Sequence, residues 1–276
     1  MLNQNPLLKY VRQPAIYWQP PSHGQWWSAD AIDMPDSGQL PVLPMSSRDE
    51  ILLKTPDALI SGEAIVALFQ SCIPGIKNAW DMPGIDVDSA LISIRIASMG
   101  ETMNFSSTCP NCSTEADYDI DLRTVLDRVQ CPHYVPFEFK NLTFQLKPQR
   151  YFNLNANNQL RFVEQSIYQS ITNDELNDDQ RRELLKEQVA KIEELNYQVL
   201  ISSTDYVATP EGVQVSDPEQ LAEFYRNAET AIIRRVKTQI ENYAETAGIK
   251  PLELKCQSCE HEYQRDLIFD YSSFFG

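Results

Sequence analysis

Cysteine carries most of the chemistry that this sequence offers. Four of the six cysteines form two CxxC pairs, Cys109-Pro110-Asn111-Cys112 and Cys256-Gln257-Ser258-Cys259. A tight turn lets each pair present two soft sulfurs to one point, and a tetrahedral zinc takes four such ligands. The flanks repeat as well. Glu115 and Asp119 follow Cys112 by three and seven residues, and Glu262 and Asp266 follow Cys259 by the same steps. Two matching hairpins facing one metal make a zinc ribbon, so Cys109, Cys112, Cys256 and Cys259 are the expected ligands of a structural Zn2+. Four thiolates leave no open position for water, which argues against a catalytic zinc. Reduced structural thiols or a redox pair are the alternatives that the spacing leaves open.

The other candidates are weaker. Cys131-Pro132-His133 could replace one ligand, but the four knuckle cysteines already complete a tetrahedron; a half-buried thiol and a surface imidazole are expected there. His261 reads as a flank of the second knuckle, and Cys72, on an apolar helical stretch, as a buried thiol. There are only three histidines, nine glycines, and no GxGxxG, Walker A, HExxH or GxSxG motif. No catalytic residue and no organic cofactor site is assigned.

The elements that must position the knuckles are unusually spread out, since 143 residues lie between Cys112 and Cys256. Closing so long a loop is tolerable because its entropic cost grows only logarithmically, more so when the insert is itself folded. Residues 51–100 read as helices: Thr55-Pro56 opens one, Ser61 caps a second through Cys72, and Asp86 or Asp88 caps a third that stops at Gly100. Residues 101–150 turn to strands, with Phe137–Phe139 and Leu142–Leu146 alternating as a hairpin across Lys140-Asn141. Residues 158–248 read as helical. One face carries Leu160, Val163, Ile167 and Ile171, and another Leu185, Val189, Ile192, Leu195 and Val199. A single closing rod runs from the Asp217-Pro218 cap to Gly248, with Leu221, Tyr225, Ala228, Ile232, Val236, Ile240 and Tyr243 along one stripe. The acid-rich stretch from Asp174 to Glu194 reads as a solvated helix face. The expected class is α+β: a zinc-ribbon-like β module with N-terminal helices and a long helical insertion. The expected parts are a Pro-rich aromatic arm at 1–50, a core of helices and zinc ribbon at 51–150 plus 249–276, and a helical insertion at 158–248.

Composition limits the partners. Lys and Arg total 23 against 39 for Asp and Glu, a formal charge of −16, so a phosphate backbone is repelled and nucleic-acid binding is not expected. No apolar run approaches the roughly 18 residues of a membrane span, and the first 21 residues lack a signal-type apolar stretch, so a cytosolic location is expected. The arm is the only segment that leans basic, through Lys9 and Arg12, and it holds Tyr10, Tyr17, Trp18, Trp26 and Trp27. Such aromatics either pack on the chain's own core or serve a partner. The second is expected to make the arm a main contact in an assembly.

Several short stretches carry a resemblance in combination: Leu53-Lys-Thr-Pro-Asp-Ala-Leu59, Ser61-Gly-Glu-Ala-Ile65, Ser71-Cys-Ile-Pro-Gly-Ile-Lys77, Ile94-Arg-Ile-Ala97, and Cys109-Pro-Asn-Cys112 followed by Ile120-Asp-Leu122. Asn5-Pro6-Leu7, Arg12-Gln-Pro14, Ile16-Tyr17 and Pro41-Val-Leu-Pro-Met45 before Asp49-Glu-Ile51 add to it. Together they resemble the baseplate hub and hub-assembly family of T-even-type contractile-tailed phages, over residues 1–130 and, by pattern, at the C-terminal knuckle. The resemblance implies a non-enzymatic structural or assembly protein. Its partners would be other hub and tail proteins, with self-association a further option. It would work in the host cytoplasm during assembly or in the virion tail baseplate. A zinc-ribbon nucleic-acid or transcription module and a thiol–disulfide oxidoreductase are the competing readings.

Overall fold

A computed structural model describes residues 7, 11–159, 178–267 and 274–275. The apolar face Leu160, Val163, Ile167 and Ile171 falls outside the described residues, as do Lys9 and Tyr10. The class is α+β, with small antiparallel sheets among helices, and the chain divides into two compact units, residues 1–131 with 247–276, and residues 132–246.

The first unit is built around a helix with no solvent face. Strands β1 (Ile16–Trp18) and β2 (Leu40–Val42) pair antiparallel and precede α1 (Ser47–Leu53), α2 (Pro56–Ser61), α3 (Glu63–Cys72) and α4 (Gly84–Met99). Val87, Ala90, Leu91, Ile92, Ile94 and Ile96 of α4 are all buried, and β1, β2, α3 and the short α5 (Leu122–Asp127) pack around it. Thr55-Pro56 opens α2 as the sequence suggests. Ser61 instead ends that helix, and Gly62, at φ 83°, joins it to α3. The α1 helix, absent from the sequence reading, is fixed by a capping box between Ser46 and Asp49. Neither Asp86 nor Asp88 caps α4, which starts at Gly84 after Pro83. Asp86 turns away to accept hydrogen bonds from the Ser22 backbone N–H, the Ser22 hydroxyl and Trp27 Nε1 at 2.5–2.8 Å.

Those donors come from the aromatic segment, which is therefore part of this core from Arg12 onward. Trp18 is 1% exposed and donates to Ser89 Oγ. Arg12 reaches Asp49 at 3.1 Å and Ser71 Oγ at 3.1 Å, so its charge is spent within the unit. Only Tyr17, 64% exposed, points fully outward from β1. Gly75 lies so close beneath Leu40 that a Cβ there would come within 2.4 Å of its Cδ2.

Two further hairpins complete the unit. Strands β3 (Thr102–Thr108) and β4 (Glu115–Asp121) pair in full register, Thr102 opposite Asp121 and Thr108 opposite Glu115. The second hairpin pairs β9 (Leu252–Lys255) with β10 (Glu262–Arg265).

The second unit is a four-stranded antiparallel sheet covered by helices. Its strands are β5 (Phe137–Phe139), β6 (Leu142–Leu146), β7 (Thr204–Ala208) and β8 (Gln214–Val215), in that order. Lys140 and Asn141 both take positive φ, 51° and 60°, so the hairpin turns in two residues despite lacking Asn-Gly. Its helices are α6 (Asp178–Ser203), α7 (Pro218–Asn227) and α8 (Thr230–Ala247), with a helical stretch over 151–159. Because β6 pairs with β7, the 137–146 hairpin belongs with the helices that follow it and not with the cysteine hairpins. The closing rod is broken: Asp217 caps α7 as expected, but Ala228 is extended (φ −71°, ψ 151°) and α8 restarts at Thr230. The break lets both halves bury their apolar stripes in one core, where Tyr225 and Val236 are both 0% exposed beside Phe144, Leu200 and Val207.

Candidate metal centre

Each CxxC pair sits in the turn of its hairpin, and the two turns are built alike. In the first, Cys109 N–H donates to Thr114 O (2.9 Å) and Ser113 N–H to Cys109 O (2.9 Å), with Ser113 at φ 56°. In the second, Cys256 N–H donates to His261 O (2.9 Å) and Glu260 N–H to Cys256 O (3.0 Å), with Glu260 at φ 57°. The left-handed residue follows the second cysteine in both, and β4 and β10 both begin three residues after it, at Glu115 and Glu262. The echoing acids in the sequence thus mark the return strands.

The turns bring the four sulfurs together. Cys109 Sγ lies 3.8 Å from Cys259 Sγ, Cys112 Sγ 3.6 Å from Cys256 Sγ, and all four lie within 4.8 Å of one another. A disulfide needs about 2.05 Å; all six cysteines are free. Tetrahedral zinc with Zn–S bonds of about 2.3 Å separates its sulfurs by about 3.8 Å, which the two close contacts match. The donor set is soft, and four convergent thiols fit zinc.

Local donors prepare two of the sulfurs for negative charge. Cys112, exposed, is held down at about 6 by hydrogen bonds from the Thr114 hydroxyl and backbone. Cys259 is lowered chiefly by Asn111, whose Nδ2 donates to its Sγ at 3.6 Å, and by the His261 backbone. Cys256 moves the other way, to about 11: the Cys259 and Ser258 backbones lower it, but burial and the thiols of Cys112 and Cys259 outweigh them. Four sulfurs this close cannot all ionise without a cation among them.

Sequence reasoning missed the braces between the hairpins. Tyr118 of β4 and Tyr263 of β10 meet hydroxyl to hydroxyl at 3.2 Å, Tyr263 also reaches Ser107 Oγ, and Arg265 Nη2 donates to Thr108 O at 2.9 Å. Tyr263 interrupts an otherwise charged and polar strand, which was the one available signal. The weaker candidates stand apart from the four sulfurs. Cys131 is half-buried and His133 exposed, neither in the cluster. Cys72 is buried in α3 with its thiol pushed up to about 12 by desolvation. His261 stacks on Tyr263 with centroids 6.3 Å apart.

A sequence model of the T4 bacteriophage base plate protein family matches residues 43–276, most of the chain. The chain belongs to that family. The match takes in both hairpins and all four clustered cysteines, beyond the 1–130 span over which the sequence resemblance is clearest, and begins after β1 and β2. Comparison with curated proteins and with solved structures returned no match. No helix among the described residues is long and apolar enough to cross a membrane.

Proposed function

We propose that this baseplate-family protein is a structural or assembly component of the baseplate hub of a contractile phage tail, and that Cys109, Cys112, Cys256 and Cys259 hold a structural zinc in a zinc-ribbon-like module. The family match supports the baseplate role. The observation that carries the metal reading is the convergence of four thiols from two like-built turns within 4.8 Å. In this reading the ion joins hairpins that 143 intervening residues separate in the chain, and residues 132–246 act as an inserted, semi-independent unit. Its contacts are with other hub and tail proteins, made in the host cytoplasm during assembly or in the virion tail. When bound, zinc supplies cross-linking and no open coordination site for chemistry. Its apparent binding energy, on the order of 10 kcal/mol at neutral pH, would contribute to the stability of the module.

Metal analysis of the purified chain tests the centre. One tightly held zinc per chain is expected, lost or strongly weakened in Cys259→Ser, with melting of the first unit shifted down. Cys131→Ser should keep the metal and the melting temperature. Equal zinc in wild type and Cys259→Ser defeats the assignment. The hub role is tested separately, by cross-linking mass spectrometry of purified tails and of assembly intermediates; cross-links to non-baseplate proteins alone would count against it.

A further inference from the structure

The four sulfurs of the candidate metal centre divide into two pairs. The contacts Cys109 to Cys259 at 3.8 Å and Cys112 to Cys256 at 3.6 Å both run from one hairpin to the other, and each cysteine takes part in one of them. Each pair also joins a buried thiol to a more accessible one. Cys109 and Cys256 are both 1% exposed, whereas Cys112 is exposed and Cys259 half-buried. Contacts that involve no cysteine hold the hairpins in this relation. Tyr118 Oη meets Tyr263 Oη, Tyr263 Oη reaches Ser107 Oγ at 3.3 Å, and Arg265 Nη2 donates to Thr108 O at 2.9 Å. None of these braces needs a metal.

We propose that this centre is also a site of oxidative modification, at which a peroxide forms two disulfides that cross between the hairpins, Cys109–Cys259 and Cys112–Cys256, in place of disulfides within the CxxC turns. The proposal rests on the four-cysteine centre described above and adds its oxidised form. In the metal-free chain the accessible thiol of each pair reacts first. Its sulfur gives two electrons to the peroxide, the O–O bond breaks, one oxygen stays as a sulfenic acid and the other leaves as water. The buried partner's sulfur then attacks the sulfenic sulfur. An S–S bond forms, the S–O bond breaks, and the oxygen leaves as a second water carrying the partner's proton. With zinc bound, the same two steps draw their protons from solvent and free the ion. The sulfurs need close only from 3.6–3.8 Å to about 2.05 Å. Separation along the chain argues for the opposite pairing, which makes the outcome diagnostic. In an unfolded chain a thiol three residues away is met far more often than one 144 or 150 residues away. Cross-hairpin disulfides therefore report the folded arrangement, and they keep the two turns joined once the metal is gone.

Disulfide mapping by mass spectrometry tests this on the full chain. The protein is stripped of metal with a chelator under reductant, freed of both, and treated with a small excess of hydrogen peroxide. It is then alkylated in denaturant and digested with trypsin without reduction. The peptide carrying Cys109 and Cys112 should be linked to the peptide carrying Cys256 and Cys259, with Cys72 and Cys131 alkylated. Oxidation in urea should instead leave the two peptides separate, each closed on itself. Double variants resolve which sulfurs pair. Cys112→Ser/Cys256→Ser, which keeps Cys109 and Cys259, should form its bridge faster than Cys112→Ser/Cys259→Ser, which keeps Cys109 and Cys256, by roughly tenfold or more. Three results each overturn the proposal: CxxC disulfides as the main product of the chain oxidised without urea, thiols that peroxide leaves unlinked, or equal rates in the two double variants. Zinc in the chain as purified is measured separately. A chain that holds none defeats the metal reading and leaves the disulfide map to be read, whereas a zinc-loaded chain that oxidises within its turns defeats this proposal alone.

Discussion

Asp86 is a fully buried carboxylate held by three donors. It is 0% exposed, and its pKa is raised to about 6 by burial, against the lowering effect of hydrogen bonds from Ser22 and Trp27 and the nearby His23. Asp88, two residues on, is raised to about 6 by burial alone. A carboxyl whose folded pKa exceeds its unfolded value binds more proton when folded. Its contribution is therefore fullest below about pH 4 and is lost as pH rises through 6. The urea midpoint of the first unit should accordingly fall between pH 4 and pH 7. Asp88→Asn should flatten that slope and raise stability at pH 7, since no hydrogen bond of Asp88 among the described residues is lost. Asp86→Asn should flatten the slope as well but lower stability, costing about 1–3 kcal/mol, because an amide NH2 would face either the Ser22 N–H or the Trp27 N–H. A pH-independent midpoint in wild type would contradict this account. These two aspartates also mark what sequence can show. Both looked like caps for α4, because a carboxylate in a first turn usually serves its own helix. Nothing local announces that Ser22 and Trp27, some 60 residues away, supply better donors to Asp86. The cysteines were legible for the converse reason: the geometry of CxxC is set within one turn, and only the meeting of the two turns is long-range.

Among the elements, those with strong local signals were legible and those depending on remote pairing were not. Thr55-Pro56, Asp217-Pro218 and the alternation of 137–146 each placed an element end correctly. The strand β7 was hidden inside a helical block because Thr204–Ala208 is too short to show a period and is a strand through pairing with β6. The break at Ala228 was hidden because the apolar stripe continues through it; tertiary packing of Tyr225 and Val236 in one core overrides the helical pattern. Among the described residues, that core is drawn from one unit. Tyr225 Oη meets Thr204 Oγ1 at 2.6 Å, Arg235 lies 5.0 Å over the Phe137 ring, and Phe137 stacks on Phe144 at 5.4 Å. Residues 132–246 expressed alone should therefore unfold in one cooperative transition by circular dichroism. Joining residue 131 to 247 through a short flexible linker should give a soluble remainder that still takes up zinc. Loss of zinc binding on excision would show that the two units do not fold separately.

At the scale of the whole molecule, the first unit draws on distant parts of the chain, and the aromatic segment decides how far it extends. The family match begins at residue 43, yet β2 already pairs with β1 before it, and Trp18 fills the space against α4. The Pro-rich composition suggested a segment that reaches outward to a partner, and Tyr17 still offers an exposed ring. Trp18, Ser22 and Trp27 are nevertheless committed inward. Deleting residues 2–29 removes β1, leaves β2 unpaired, opens a cavity where Trp18 stood and strips Asp86 of all three donors. Loss of a buried tryptophan alone costs about 3–5 kcal/mol, and an unpartnered buried carboxylate about 1–3 kcal/mol or more. Against a typical domain stability of about 5–15 kcal/mol, that is enough to unfold the unit or leave it marginal. The truncated chain should lose the melting transition of the first unit and become sensitive to limited proteolysis within residues 47–131, while residues 132–246 resist. Tyr17→Ala should leave folding intact, so a defect in tail assembly with that variant would locate a partner contact on the exposed ring. A truncated chain that melts like wild type would return the segment to the role of an independent arm.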